Sequence, residues 1–427
     1  MSLQKNIFLN MPHQTKVKWL DDVKNTALKK LEKQGFPTSK QEEWRHTKFE
    51  PQDYDKLIPF HNKVRKKVKI TSSIKNAYNI VLVNGKIQQK DQLPVEIKIV
   101  TLSDLLKDES RIDIITQVRK LLQDNSEFNK SFNPLLNIAF LKDPLIIYLD
   151  KEADIKQTIN LFHVGASPSN TVYSHIITLL SQSSKCAIFE HFLEEDDNIV
   201  NYHHVFQCIL DGNSSLKHYK VQKLGGNALH YYSSNILLNR NASYEGFGFN
   251  IGAKKSRQEM YAEVGEESRC DFKSIIYGNR DQHHDTYINF SHRSPRGYSN
   301  QCVKQILDDK AKGVFYGKAY IEKNCPGIEA HQLNKNILLS EKAQIFSKPE
   351  LEIYTDDVKC THGSTTGSLD KEALYYLKTR GLSENDGTKL LLEGFALDVL
   401  EDIKNSEIKE YIKSHLININ RAKKRII

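Results

Sequence analysis

The chain has 427 residues, enough for about one to three domains with a sizeable core of their own. Apolar residues make up 39% and charged residues 27%, which excludes a disordered chain, and no apolar run is long enough to span a bilayer. The net charge of +8 is too mild over this length to point to nucleic acid; its basic excess collects at residues 61–69 (HNKVRKKVK) and 421–425 (RAKKR), both read as solvated faces.

Residues 19–33 (WLDDVKNTALKKLEK) place Leu20, Val23, Ala27, Leu28 and Leu31 at helical spacing, and Gly35 then Pro37 end that helix. Next comes QEEWRHTKF around Trp44. Residues 80–87 (IVLVNGKI) predict a hairpin, with Asn84-Gly85 supplying the positive φ values of a tight turn. Helical patterns follow at 102–106 and 112–122. From about residue 144 to 361, short runs rich in β-branched and aromatic residues alternate with turn clusters, and no amphipathic helix interrupts them. This excludes a doubly wound α/β sheet and leaves sandwich, barrel, propeller and β-helix. No blade-length repeat is visible, and the strand–turn periodicity leans to a β-helix over a sandwich.

The helical pattern returns at Ser368. Ser368 or Asp370 can cap a helix through Thr379, Gly381 fits its C-terminal turn, and Ser383 with Asp386 forms a capping pair for the next helix. There Leu391, Leu392, Phe395, Ala396, Val399, Leu400 and Ile403 make one wide apolar stripe, which must be buried on the chain's own core or on a partner. A third amphipathic segment covers residues 408–416. The start of the chain (MSLQKNIFLNMPHQTK) shows no apolar export segment, and the six cysteines are widely spaced with no CxxC pair. Reduced thiols and a cytoplasmic location are the expectation.

The absent motifs narrow the chemistry. No P-loop is found, and residues 363–368 (GSTTGS) have its glycines without its lysine. His203-His204 and His283-His284 are adjacent, so on strands each pair points to opposite faces and cannot chelate together; they are read as structural or surface residues. Residues 356–367 (DDVKCTHGSTTG) stand apart, because on a strand Cys360 and His362 share one face with Cα atoms about 6.5–7 Å apart. A thiolate and an imidazole at that separation can bind one iron, zinc or copper(I) ion. Two ligands do not close a site, so a second chain has to supply the rest.

The runs KGVFYGKAYI, HQLNKNILLS, KPELEIYTDDVKCTHGSTTGSLDKEALYYLKTRG and LLEGFALDVL closely resemble the C-terminal half of the SufB/SufD family of iron–sulfur cluster assembly scaffolds. EEWRHTKF, IVLVNGKI and FNPLLNIAF resemble landmarks of the SufD branch in the same order, as does the CTHG wording around Cys360. The resemblance implies a central right-handed parallel β-helix flanked by helical regions: residues 1–140 mixed and mainly helical with a hairpin, 141–366 the β-helix, and 367–427 a helical region that docks an ATPase. It implies a scaffold rather than an enzyme. The partners are a SufB-like subunit, paired through β-helix edges, and a SufC-like ATPase, so this chain binds no nucleotide itself. It further implies His362, with Cys360 as the weaker neighbour, as ligands of iron or a transient iron–sulfur cluster at the SufB interface. Leu391, Leu392, Phe395 and Val399 become ATPase-docking candidates, a homodimer is expected of the isolated chain, and a reduced flavin is a candidate cofactor of the assembled complex. The competing readings are a polysaccharide-acting β-helix enzyme using Asp356-Asp357 and a nucleic-acid binder using the basic runs; the latter lacks aromatic residues among the charges of 61–69.

Overall fold

A computed structural model describes residues 15, 17–50, 74–165, 170–193 and 200–418. The basic runs 61–69 and 421–425 and the first fourteen residues lie outside the described residues. Helix α1 (Lys18–Gln34) buries Leu20, Val23, Ala27 and Leu31 as its spacing predicts, and the Gly35 N–H closes on the Leu31 carbonyl. Strands β1 (Ala77–Val83) and β2 (Lys86–Lys90) form the hairpin, with φ of 50° at Asn84 and 77° at Gly85. Then come β3 (Ile97–Thr101), α2 (Leu102–Leu105), α3 (Ile112–Gln123) and α4 (Phe132–Phe140). Helix α4 is buried along its whole length; its two polar residues, Asn133 and Asn137, are buried as well, so it shows no solvent-exposed side.

From residue 145 the chain winds back and forth between two sheets. The first strands are β4 (Leu145–Leu149), β5 (Asp154–Val164), β6 (Asn170–Leu180), β7 (Lys185–Leu193), β8 (Val200–Leu210), β9 (Ser215–Leu224), β10 (Leu229–Leu238) and β11 (Ser243–Gly252). They continue as β12 (Lys255–Val264), β13 (Arg269–Gly278), β14 (His283–His292), β15 (Tyr298–Leu307), β16 (Lys312–Ile321), β17 (Ile328–Leu338), β18 (Gln344–Ile353) and β19 (Val358–Ser368). Odd-numbered strands from β5 onward stack in parallel in one sheet, even-numbered strands from β4 in the other, which is a parallel β-helix. β1 joins the odd sheet parallel to β5, while β2 and β3 close the two sheets antiparallel. The chain ends in α5 (Lys371–Thr379), α6 (Glu384–Leu400) and α7 (Ser406–Asn418). Asp370 caps α5 by accepting from the Glu372 and Ala373 N–H groups, and Ser383 caps α6 by accepting from Asp386 N–H.

Successive coils keep register, so inward positions form columns; Tyr202, His230, Ser256 and His284 make one. The turns stack as well. Asn213, Asn241, Glu267, Arg296 and Asn324 each take a positive φ of 57–62°, and the Asn213, Asn241, Glu267 and Arg296 N–H groups each donate to a carbonyl of the next turn.

Three large apolar cores and three smaller clusters form among the described residues. One lies between the sheets, running from Ile80 and Ile147 to Phe290 and Phe315. The second packs α1, α3 and α4 on the outer face of the even sheet. The third packs Leu392, Ala396, Val399, Leu400, Ile408 and Ile412 on the outer face of the odd sheet. Strands covered on both sides lose the simple alternation of a half-buried sheet.

Polar residues pin the helical layers. Asn133 and Asn137 lie one helical turn apart on α4; their amides donate to the His204 and His203 carbonyls at 3.2 and 2.8 Å, and Asn133 Oδ1 pairs with His203 Nδ1 at 2.7 Å. Buried Arg257 lies on the same outer face between Glu259 (2.8 Å) and Asp285, with its guanidinium 3.9 Å from the Trp44 ring centroid. Asp285 also accepts from Thr47, so EEWRHTKF is a strap clamped onto the β-helix.

Arg257→Ala leaves two buried carboxylates without their cation and is expected to cost about 3–5 kcal/mol in urea unfolding. Arg240→Ala, in the exposed ladder to Glu267, is expected to leave the urea midpoint unchanged. Equal midpoints for Arg257→Ala and wild type would show that the clamp does not hold the strap.

Candidate functional site

Cys360 and His362 lie on β19, the last strand of the odd sheet. Its register with β17 puts Cys360 on the column of Ala330 and His362 on that of Gln332, both inward positions. Among the described residues no coil covers the next layer, so the inward face opens at the end of the stack: Cys360 is half-buried and His362 exposed. Cys360 packs beside Ala319, Ile321, Cys325, Ile328 and Ala330. Across the opening, the Ser347 and Ser364 hydroxyls meet at 2.8 Å and tie β18 to β19.

The Cys360 thiol is pushed above its ordinary range by burial, partly offset by a backbone hydrogen bond from Ala330. It therefore rests as a thiol, and a metal ion has to displace the proton. Among the described residues, Cys360 and His362 belong to no group of three metal-capable side chains. Cys325 is buried, Cys302 half-buried, and burial raises both thiols. Residues 363–368 run as extended strand, not as a loop opening a helix, so they form no phosphate cradle. Asp356 and Asp357 are exposed in the turn before β19.

The apolar stripe of α6 divides. Leu392 and Val399 are buried on the chain's own sheet, with Phe395 packed beside them under Lys304, whose ammonium lies 4.7 Å from its ring centroid. Leu391 is half-buried. What the helical pair leaves uncovered is Tyr375 (70% exposed), Tyr376 (56%) and Leu390 (49%).

The adjacent histidines point to opposite faces as expected, but none of the four is a surface group. His203 faces α4 and His204 the core; His283 meets Thr47 at 2.9 Å, and His284 is fully enclosed. Burial pushes His203 down to about 3 and His204 down to about 4, so both imidazoles are neutral at pH 7. His204 joins a constellation that single-strand spacing cannot show. The buried Glu190 carboxylate has His163 Nε2 at 2.9 Å, His204 Nε2 at 3.1 Å, His218 Nε2 at 2.9 Å and the Tyr232 hydroxyl at 2.6 Å. Burial alone raises Glu190, yet its interaction with His204 and the contacts from His163 and His218 hold it well below the usual range. The signal that finds this cluster is a set of histidine and glutamate side chains at inward positions of neighbouring coils.

A family model described as SUF system FeS cluster assembly, SufBD core domain, matches residues 162–395. A second, for the SufBD protein N-terminal region, matches residues 8–161. The chain is similar to an iron–sulfur cluster assembly SufBD family protein of Synechocystis, 29% identical over 298 residues that cover 67% of this chain and 66% of that protein. It is also similar to the iron–sulfur cluster assembly protein SufD of Escherichia coli, 23% identical over 91% of this chain and 90% of that one. For SufD of Bacillus subtilis the identity is 22% over 93% of each chain.

Because burial holds Cys360 as a thiol, its alkylation by iodoacetamide is expected to reach half its limiting rate above about pH 8.5, the midpoint of an unshifted cysteine. Peptide mass spectrometry across a pH series reads this; a plateau below that pH marks an activated thiolate instead.

Proposed function

The chain belongs to the SufBD family of iron–sulfur cluster assembly proteins, and from that premise we propose that it is a SufD-like, non-catalytic scaffold subunit. Its open terminal coil pairs with a SufB-like chain, and His362, assisted by Cys360, contributes to iron acquisition and nascent cluster formation at the shared interface. The observation that carries this reading is the position of those two side chains: inward-facing, on a final strand whose outer edge has no partner among the described residues, and too few to close a metal site. An incomplete ligand set at an open sheet edge suits completion by another chain whose strand adds to that edge.

The iron or cluster is cargo here. A neutral imidazole holds iron less tightly than a thiolate does, so a cluster partly held by His362 can leave for an acceptor protein. The chain carries no P-loop, and ATP hydrolysis falls to a SufC-like partner. That partner docks on residues 367–427. Since Leu392 and Val399 are covered by the β-helix, the docking surface is centred on exposed Tyr375, Tyr376 and Leu390, with Leu391 and Phe395 at its border. Residues 1–140 and 141–366 act as brace and scaffold, strands of the first part completing the sheets of the second. Alone, the chain pairs with a second copy through the same edge. A reduced flavin is assigned to the assembled complex. The compartment is the cytoplasm; no helix among the described residues is long and apolar enough to cross a membrane.

His362→Ala, assembled anaerobically with SufB-like and SufC-like chains, is expected to slow cluster formation by at least about tenfold while the chains still co-purify. Cluster absorbance against time is the readout, and an unchanged rate removes His362 from the chemistry. A Tyr375→Ser/Tyr376→Ser double variant is expected to lose the ATPase in pull-downs with its own unfolding midpoint preserved. Retention of the ATPase moves the docking surface elsewhere.

A further inference from the structure

We propose that His163, Glu190 and His204 form a metal site inside the early coils of the β-helix, one that takes a divalent first-row cation of the zinc–iron class. The site is separate from the terminal coil and does not depend on the role given to Cys360 and His362. Its three residues come from β5, β7 and β8, so both sheets contribute across the core. They are 3%, 0% and 0% exposed. Their ligand atoms all lie within 4.8 Å of one another, and both imidazole Nε2 atoms approach the same carboxylate oxygen, Glu190 Oε2. Metal–ligand bonds of about 2.0–2.2 Å place neighbouring donor atoms roughly 3 Å apart, so a cation enters this arrangement with small side-chain shifts.

Two further observations point to a cation rather than to a hydrogen-bond cluster alone. His204 Nε2 sits 3.1 Å from Oε2 without hydrogen-bond alignment, and its Nδ1 has no hydrogen-bond partner among the described residues. Two electronegative atoms are thus held close with no well-directed proton between them, an arrangement that a bridging cation satisfies. The other oxygen, Oε1, is fixed by His218 Nε2 and the Tyr232 hydroxyl, so Oε2, which pairs with His163 Nε2 at 2.9 Å, is the oxygen left to a cation that displaces the proton of that hydrogen bond. Ring packing locks both imidazoles. His163 stacks on Phe192 with centroids 4.2 Å apart, and His204 on Tyr232 at 5.1 Å. Two imidazoles and one carboxylate without thiolate are a donor set that zinc or ferrous iron accepts. Enclosure makes the site a retaining one, loaded as the coils close.

The test uses the full chain. Protein produced in defined medium and purified anaerobically is dialysed against a chelator and analysed for metals by mass spectrometry. A second sample is refolded from urea with cobalt(II), whose visible absorption reports nitrogen and oxygen ligation at low coordination number. About one equivalent of zinc or iron per chain, or cobalt bands that persist after dialysis, is the expected result. Occupancy is expected to fall at least about tenfold in Glu190→Gln and in His163→Gln, and to stay unchanged in a Cys360→Ala/His362→Ala chain. Wild-type protein that holds no metal in either preparation overturns the site whatever the variants do, as does equal occupancy in a folded Glu190→Gln chain. The element found separates zinc from iron.

Discussion

A parallel solenoid cannot finish itself. Each strand takes its hydrogen-bond partners from the coils before and after it, so the first and last coils are left with open edges. The two ends of this chain meet that constraint in opposite ways. At the first, β2 and β3 turn antiparallel and close the sheets. At the last, β18 and β19 keep outer edges with no partner among the described residues. β18 blunts its edge with Pro349, Lys348, Glu350 and Glu352, whereas residues 360–368 of β19 carry neither proline nor a charged carboxylate or ammonium. The two residues with ligand chemistry sit on that second, unprotected strand.

The same stacking governs polar groups in the middle of the molecule. Because inward and outward positions alternate, a one-residue slip exchanges every core residue for an outer one. Specific polar pairs resist such a slip on both faces. Outside, Arg257 finds Glu259, Asp285 and Trp44, and the asparagines of α4 find strand carbonyls. Inside, Lys220 reaches Asn250 at 2.9 Å, and the amides of Gln332 and Gln301 continue the column beneath His362. Burial makes each of these groups costly to leave unpaired, so each narrows the set of acceptable registers.

Local features were legible in the amino acids. The period of α1, the Asn84-Gly85 turn and the Asp370 and Ser383 caps depend on neighbours a few residues away, and all formed where read. Helix α4 was not legible, because it is a nine-residue apolar run whose two asparagines are buried like the rest and mark no solvent-facing side. The repeating turn was hidden for a related reason. Asn213, Asn241, Glu267, Arg296 and Asn324 share a backbone conformation and not a residue type. Double-sided burial blurred the strands enough that family resemblance, rather than periodicity, separated β-helix from sandwich.

By itself the sequence determined the order of a mixed, a strand-rich and a helical region, the family wording around Cys360, and the fact that Cys360 and His362 share one face, since alternation along a strand is a property of the chain alone. Only the tertiary structure decided that this face points inward at an uncovered end, that Leu392 and Val399 dock on the chain's own sheet, and that His163, Glu190 and His204 meet. The reason is geometric. Which residues become neighbours across coils depends on how many residues each coil consumes and on where its turns close. Turn lengths and packing set those quantities jointly, and no single strand or helix encodes them.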